Sequence, residues 1–221
     1  MAKDLEPVRV PPIVAPPIIQ KPPARRGRPV PPAMPEKTVV AVVVGGWLKD
    51  QTAKTLQPAL KARGVHTVSP PGWDDWKHPI SHLAKQTLHD VRQRGERDLT
   101  LALIGHSFGG QAVCDAVCEL ASEGVFPAYV GLIDPVSTVP GIPQPIIIDT
   151  SFRKNRGVLH IFYRTWRVGP IRANIVDPHG TPIATLDSGC HRISGTHNSI
   201  CHCDQLVAQV VAAVQKLGET P

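Results

Sequence analysis

The sequence lacks any apolar stretch long enough to cross a membrane, and its longest aliphatic runs have the length of buried strands. It also lacks a secretory signal pattern, because no charged opening leads into an unbroken apolar segment. Cysteines are few: there are five in 221 residues, an odd number that cannot form a complete disulfide framework. These absences predict a cytoplasmic protein with reduced thiols and no transmembrane segment.

The sequence also has little excess charge, and that charge is unevenly placed. The formal net charge is +6, and residues 1–36 carry six Lys or Arg against three Asp or Glu, so half of the excess lies there. A basic segment of this kind is typical of a solvated tail. We therefore expect no nucleic-acid partner.

Three cysteines near the end of the chain have only a superficial likeness to a zinc site. They are Cys190, Cys201 and Cys203, with two neighbouring histidines. Their spacing differs from the paired ligands of zinc knuckles, so we expect no metal. A disulfide between Cys190 and Cys201 is the alternative left open.

Proline is concentrated in residues 1–36, where Pro-Pro pairs occur at 11–12, 16–17, 22–23 and 31–32. Proline at this density blocks helices and sheet ladders and favours extended polyproline II. The sequence therefore predicts a disordered, proline-rich basic tail over 1–36 and one folded domain over 37–221. The tail is either a docking arm for a protein partner or a passive spacer.

The chain is organised around a strand, a tight turn and a helix. Apolar residues 101–104 lead into Gly105-His-Ser-Phe-Gly-Gly110, and apolar residues then recur at helical spacing up to Leu120. This pattern places Ser107 at the point of the turn. Glycines at 105 and 109 remove Cβ atoms that would collide there, and the N-terminus of the helix favours negative charge beside the hydroxyl.

The other elements follow from periodicity. Residues 39–44 are an unbroken run of valine and alanine, typical of a strand buried on both faces of a parallel sheet. Helices are predicted over 50–63, from Pro79 to Gly95, and after Asp204. Residues 171–186 predict a short hairpin that turns at His179-Gly180.

The Gly-His-Ser-Phe-Gly-Gly segment resembles the nucleophile elbow of the α/β-hydrolase superfamily, as found in lipases, esterases and thioesterases. The resemblance covers residues 37–217. It implies a small α/β-hydrolase fold, a mostly parallel sheet of roughly five or six strands with helices on both faces, that begins at the family's third strand. The short, proline-rich segment after Val136 leaves no room for a large lid.

The resemblance also implies the partners of Ser107. Asp134 ends an apolar strand in a Gly-Leu-Ile-Asp-Pro run, and His197 lies in a loop before the last helix, so the order matches the family's nucleophile, acid and base. We expect a catalytic triad of these three residues. The alternative acids are Asp149, Asp177 and Asp187, and the alternative bases are His191 and His202.

Further site residues are implied by the loops beside the elbow. Gly45-Gly46-Trp47 resembles the family's oxyanion loop, so the N–H groups of Trp47 and Phe108 are expected to bind the oxyanion. The residues expected to contact substrate are Gly46, His106, Trp73 and Trp76.

Together these residues predict a serine hydrolase that cleaves carboxylic esters or thioesters through an acyl-enzyme, without cofactor or metal. A small-molecule or lipid-like ester is the expected substrate. Two alternatives stay open: a hydrolase of envelope or polymeric esters directed by the proline-rich tail, and a non-catalytic binding or scaffold protein with the same fold.

Deletion of residues 1–36 tests the predicted division of the chain. Because a segment so rich in proline cannot add to a packed core, kcat/KM on a small ester should change less than about twofold. The melting temperatures of the truncated and full-length chains should agree as well. A large loss of activity or of melting temperature would show that the tail packs on the domain.

Overall fold

A parallel six-stranded sheet forms the centre of the computed structural model, which describes residues 37–46, 51–71, 75–137, 145–164, 175–183 and 190–219. Strands in this part of the chain are β1 (Thr38–Val44), β2 (His66–Val68), β3 (Leu99–His106), β4 (Tyr129–Ile133), β5 (Ile146–Ile147), β6 (Val158–Arg164), β7 (Ile175–Val176) and β8 (Cys190–Ile193). The large sheet has the order β2-β1-β3-β4-β6-β8, and every neighbouring pair is parallel.

The valine-rich strand β1 lies inside the sheet, where both of its edges are paired. Val40 is opposite His66 of β2 on one side and opposite Leu101 of β3 on the other. Its side chains alternate between the two faces, so Val40 and Val42 enter one apolar cluster while Val39 and Val43 enter the other. A strand that is apolar at every position is therefore buried on both sides.

Helices cover both faces of the sheet. They are α1 (Thr52–Lys61), α2 (Ile80–Gln93), α3 (Phe108–Ser122), the short α4 (Ser151–Lys154) and α5 (Asp204–Gln215). Apolar residues of α2 and α3 pack into the cluster that contains Val40, whereas those of α1 and α5 pack into the cluster that contains Val39. None of the helices in the described residues is at once long enough and apolar enough to span a bilayer.

This architecture confirms the expected α/β fold, with a mostly parallel sheet between two helical layers. Of the predicted hairpin over 171–186, only residues 175–183 lie within the described residues, and the turn is observed there. A turn at 177–180 joins Val176 to Pro182 in an antiparallel bridge, but β7 also pairs in parallel with β5 to form a separate two-stranded sheet. Strands of two residues carry no periodic pattern, so the sequence did not indicate this pairing.

The start of α3 lies directly against the end of β1. A Cβ on Gly109 would collide with the backbone carbonyl groups of Val44 and Gly45, and one on Gly105 would collide with the backbone of Gly109. These contacts confirm that glycine is required at both positions. They also bring the loop after β1 beside the first turn of α3.

Replacement of Gly109 by alanine should destabilise the fold by about 3 kcal/mol or more, because the backbone carbonyl groups of Val44 and Gly45 would have to move to make room for the Cβ. A matched control is Gly95→Ala, since Gly95 has a positive φ of 101° but open space around its Cβ position. The Gly95→Ala substitution should lower the free energy of unfolding by only about 1 to 2 kcal/mol, the cost of backbone strain alone. Urea unfolding of both variants measures the difference, and equal costs would contradict the close packing of α3 on β1.

Candidate active site

The candidate site lies at the carboxyl ends of three strands of the parallel sheet. Ser107 follows β3, Asp134 follows the neighbouring strand β4, and His197 lies in the loop after β8 at the sheet edge. In open α/β sheets, the carboxyl ends of parallel strands form one rim where loops meet. The strand order therefore places all three residues at the same rim.

Ser107 lies in a strained turn between β3 and α3. Its φ is 56° and its ψ is −124°, a conformation that residues with a side chain rarely adopt. Backbone hydrogen bonds hold the turn, because the Ser107 N–H donates to the Ile133 carbonyl at 3.0 Å and its carbonyl accepts from Val136 at 3.0 Å. The strain and the glycine contacts together point the hydroxyl outward from the sheet.

A continuous chain of hydrogen bonds links the serine to the carboxylate. The Ser107 Oγ lies 2.7 Å from His197 Nε2, and His197 Nδ1 lies 2.6 Å from Asp134 Oδ2. Because a carboxylate only accepts, Nδ1 carries the proton that it donates to Asp134, and Nε2 accepts from the serine hydroxyl. This is the arrangement in which a histidine can remove a proton from serine.

Exposure differs among the three side chains in a way that suits this chemistry. Ser107 is 6% exposed, while the side chains of Asp134 and His197 are 12% and 28% exposed, respectively. The carboxylate is therefore shielded and the imidazole remains accessible from outside.

Asp134 also has a positive φ of 40°, and its N–H donates to the Phe162 carbonyl of β6 at 2.6 Å.

The alternative acids have local structural roles. The Asp149 carboxylate accepts from the Ser151 N–H at 2.7 Å, next to the start of α4. Asp177 Oδ1 accepts from the N–H groups of Thr181 and His179, and the Thr181 bond is the main cause that lowers the pKa of this carboxyl. Both are turn aspartates that bond their own backbone. Asp187 lies outside the described residues.

The alternative bases lie elsewhere. His202 Nδ1 is hydrogen-bonded to Thr55 Oγ1 of α1 at 2.7 Å. His191 stacks on Phe162 with ring centroids 5.1 Å apart, and it packs edge-on against His160 at 4.8 Å. Neither contact is with Ser107 or Asp134, so His197 is the histidine that joins the two.

Of the two expected oxyanion donors, the structure describes Phe108 but not Trp47. Phe108 is the first residue of α3, where backbone N–H groups point toward the helix N-terminus. Gly45 and Gly46 are buried, but Trp47 lies outside the described residues. The close approach of Gly109 to the Gly45 carbonyl places the end of β1 next to the Ser107 turn.

Three of the four residues expected to contact substrate, Gly46, Trp76 and His106, lie in the part of the chain that the structure describes. Trp76 packs against Phe108, with ring centroids 5.3 Å apart, and so lies next to the Ser107 turn. Trp73 lies outside the described residues. His106 is buried, and its Nε2 lies 2.9 Å from the backbone oxygen of His197.

Two contacts at this rim were not predicted from the sequence. A Cβ on Gly110 would come within 2.6 Å of the Pro135 Cβ, so the turn after Asp134 lies against α3. The Thr55–His202 bond joins residues 147 positions apart. No local pattern in the sequence indicates a contact across such a separation.

The cysteines form neither a disulfide nor a metal centre in the described residues. Cys201 is buried, whereas Cys190 and Cys203 are half-buried, and none of the five cysteines is in a disulfide. No group of three or more histidine, cysteine or acidic side chains in the described ranges is placed to hold a metal ion.

Comparison with known proteins finds no matching family model and no matching curated protein. Solved structures that resemble the chain include the RedJ thioesterase from the prodiginine pathway of Streptomyces coelicolor, with 15% identity and a TM-score of 0.48 over 84% of this chain and 91% of that one. Another is an extracellular α/β-hydrolase from a Paenibacillus species, with 13% identity and a TM-score of 0.45 over 82% of this chain and 100% of that one. A cutinase-like protein from Cryptococcus sp. has 15% identity and a TM-score of 0.45 over 83% and 97% of the two chains.

The chain's own topology and turn geometry identify its fold. Its sheet is parallel in the order β2-β1-β3-β4-β6-β8, and its serine occupies a strained strand-to-helix turn at the carboxyl rim. An aspartate and a histidine follow later strands in the same order as in the family that the sequence resembles. The chain therefore has an α/β-hydrolase fold.

Proposed function

We propose that this chain is a serine hydrolase that cleaves carboxylic esters or thioesters through an acyl-enzyme. The observation that carries the proposal is the hydrogen-bonded chain from Ser107 through His197 to Asp134. A serine hydroxyl is a weak nucleophile at neutral pH and needs an adjacent base. Here that base is in contact with it, and a carboxylate orients the base.

In the first half of the reaction, the Ser107 hydroxyl gives its proton to His197 Nε2 while its oxygen forms a bond to the substrate carbonyl carbon. The carbonyl electron pair moves onto the carbonyl oxygen. When this intermediate collapses, the bond to the leaving group breaks, and the alcohol or thiol takes the proton from His197. Asp134 stabilises the imidazolium that exists between these two proton transfers.

In the second half, water repeats the same steps. It gives a proton to His197 as its oxygen bonds to the acyl carbon, and the bond from that carbon to Ser107 Oγ then breaks. The serine oxygen recovers the proton, and the carboxylic acid is released. The net change is hydrolysis of one ester or thioester bond by one water, and both the serine and the histidine return to their starting states.

The oxyanion of both intermediates would be bound by backbone N–H groups. We assign one of these N–H groups to Phe108, which begins α3, and the second to Trp47, because Gly45 in the same loop lies against Gly109 of that first turn. Each such donor lowers the barrier by about 3 kcal/mol. The glycines let the backbone approach the substrate closely.

The substrate is proposed to be a small ester or thioester. Trp76 supplies an apolar surface beside Phe108, and Trp73 and Gly46 are assigned to the same acyl pocket. The catalytic domain would comprise residues 37–221, with residues 1–36 as a separate tail that is available to a protein partner. No residue in this scheme requires a metal or a cofactor.

Replacement of Ser107 by alanine should abolish both labelling by a fluorophosphonate probe and hydrolysis of p-nitrophenyl esters, because no nucleophile remains. Ser122→Ala is the matched control, since Ser122 ends α3 on the exposed surface. Wild-type activity should also survive a strong zinc chelator. Full labelling of the Ser107→Ala variant would refute the proposal, and a panel of acyl chain lengths with one thioester would define the substrate class.

Replacement of Asp134 by asparagine should lower kcat by about 10⁴-fold, because the carboxylate no longer fixes the Nδ1–H tautomer or stabilises the imidazolium. Asp177→Asn is the control. Its side-chain oxygen can still accept from the backbone of its own turn, so kcat should stay within about twofold. Steady-state kinetics of both variants decide between the two aspartates, and a crippled Asp177→Asn variant would show that the acid is misassigned.

A further inference from the structure

His106 immediately precedes the nucleophile and is 3% exposed. A buried imidazole needs hydrogen-bond partners, since an unsatisfied polar group in the interior costs about 1 to 3 kcal/mol. Its Nε2 lies 2.9 Å from the backbone carbonyl oxygen of His197. Because a carbonyl only accepts, Nε2 carries a hydrogen and donates it, which fixes the position of at least this proton on the ring.

The acceptor of this bond belongs to the proposed base itself. The base loop, residues 194–203, has internal bonds between Thr196 and Ser199, and it is joined to α1 through His202 and Thr55. Those contacts hold the loop on either side of His197. The His106 bond acts on the peptide group of His197, and the two rings also lie close, with centroids 4.9 Å apart.

We infer that His106 is a positioning residue that holds the backbone of His197 so that its imidazole reaches Ser107 and Asp134 together. This inference rests on the proposed function. The last residue of β3 and the serine that follows it would then both bind His197, one at its backbone and one at its side chain. His106 then acts through His197, in place of the substrate contact expected from the sequence.

The size of the expected effect follows from the geometry of proton transfer. The two bonds of His197 are 2.7 Å and 2.6 Å long, so a displacement of about 1 Å would break at least one of them. Misplacement by that distance costs up to about 10²-fold in rate. The loss should appear in kcat, because substrate binding does not depend on the His197 backbone.

A pair of isosteric substitutions separates the hydrogen bond from the volume of the side chain. In His106→Gln the amide nitrogen can take the position of Nε2 and donate to the same carbonyl, whereas His106→Met has a similar length but no donor. The Met variant should lose about 10- to 100-fold in kcat with KM within about twofold of wild type. The Gln variant should recover kcat to within about fivefold of wild type, and thermal melting of both checks that the fold is kept.

A second pair keeps the test decisive if the Met variant does not fold. His106→Asn is also polar and donating, but its shorter side chain cannot reach the His197 carbonyl, so it should lose kcat as the Met variant does. Equal kcat values for the Met and Gln variants, or for the Asn and Gln variants, would overturn the inference. Failure of the proposed function is a different result: wild-type protein would then show no turnover that depends on Ser107.

Discussion

The close packing around the Ser107 turn is the constraint on which the rest of the site depends. A serine at φ 56° stores about 1 to 3 kcal/mol of backbone strain, which persists only if the surroundings hold it. They do so because no Cβ intervenes: Gly109 lies against the end of β1, and Gly110 lies against Pro135. The same contacts bring together three chain segments, namely the loop after β1, the Ser107 turn and the residues that follow Asp134. The strain and the assembly of the site thus have one origin.

The parallel sheet explains which members of the site need additional support. Ser107 and Asp134 follow adjacent strands, and each donates its N–H to the strand beside it, so the sheet itself fixes their backbones. His197 follows β8 at the edge, and β6 lies between that strand and β4. The loop that carries the base must therefore extend back along the rim. Bonds to β3 and α1 hold it there.

The features that the sequence predicted are those with a local pattern. Valine-rich runs indicated buried strands, and the glycines around Ser107 indicated the turn; both follow from neighbours in the chain. The pairing of Ile146 with Ile175 and the bond between Thr55 and His202 involve single residues far apart, which no periodicity marks. His106 was expected to contact substrate, but sequence cannot tell whether a side chain at a strand end points toward the substrate or into the interior.

Ser107, Asp134 and His197 also differ in how easily a single substitution could move them. Ser107 and Asp134 both have positive φ angles, and backbone bonds between strands maintain them, so altering their conformation means disturbing the sheet. The loop that carries His197 is held by two side-chain hydrogen bonds. His106 bonds to the His197 carbonyl, and His202 bonds to Thr55 of α1. Each such bond contributes about 1 kcal/mol to stability. Loss of one such bond would leave the six-stranded sheet intact but would move His197 relative to Ser107. The proposed catalysis would therefore be most sensitive to the contacts that tie the His197 loop to the rim of the sheet, although these contacts contribute little to stability.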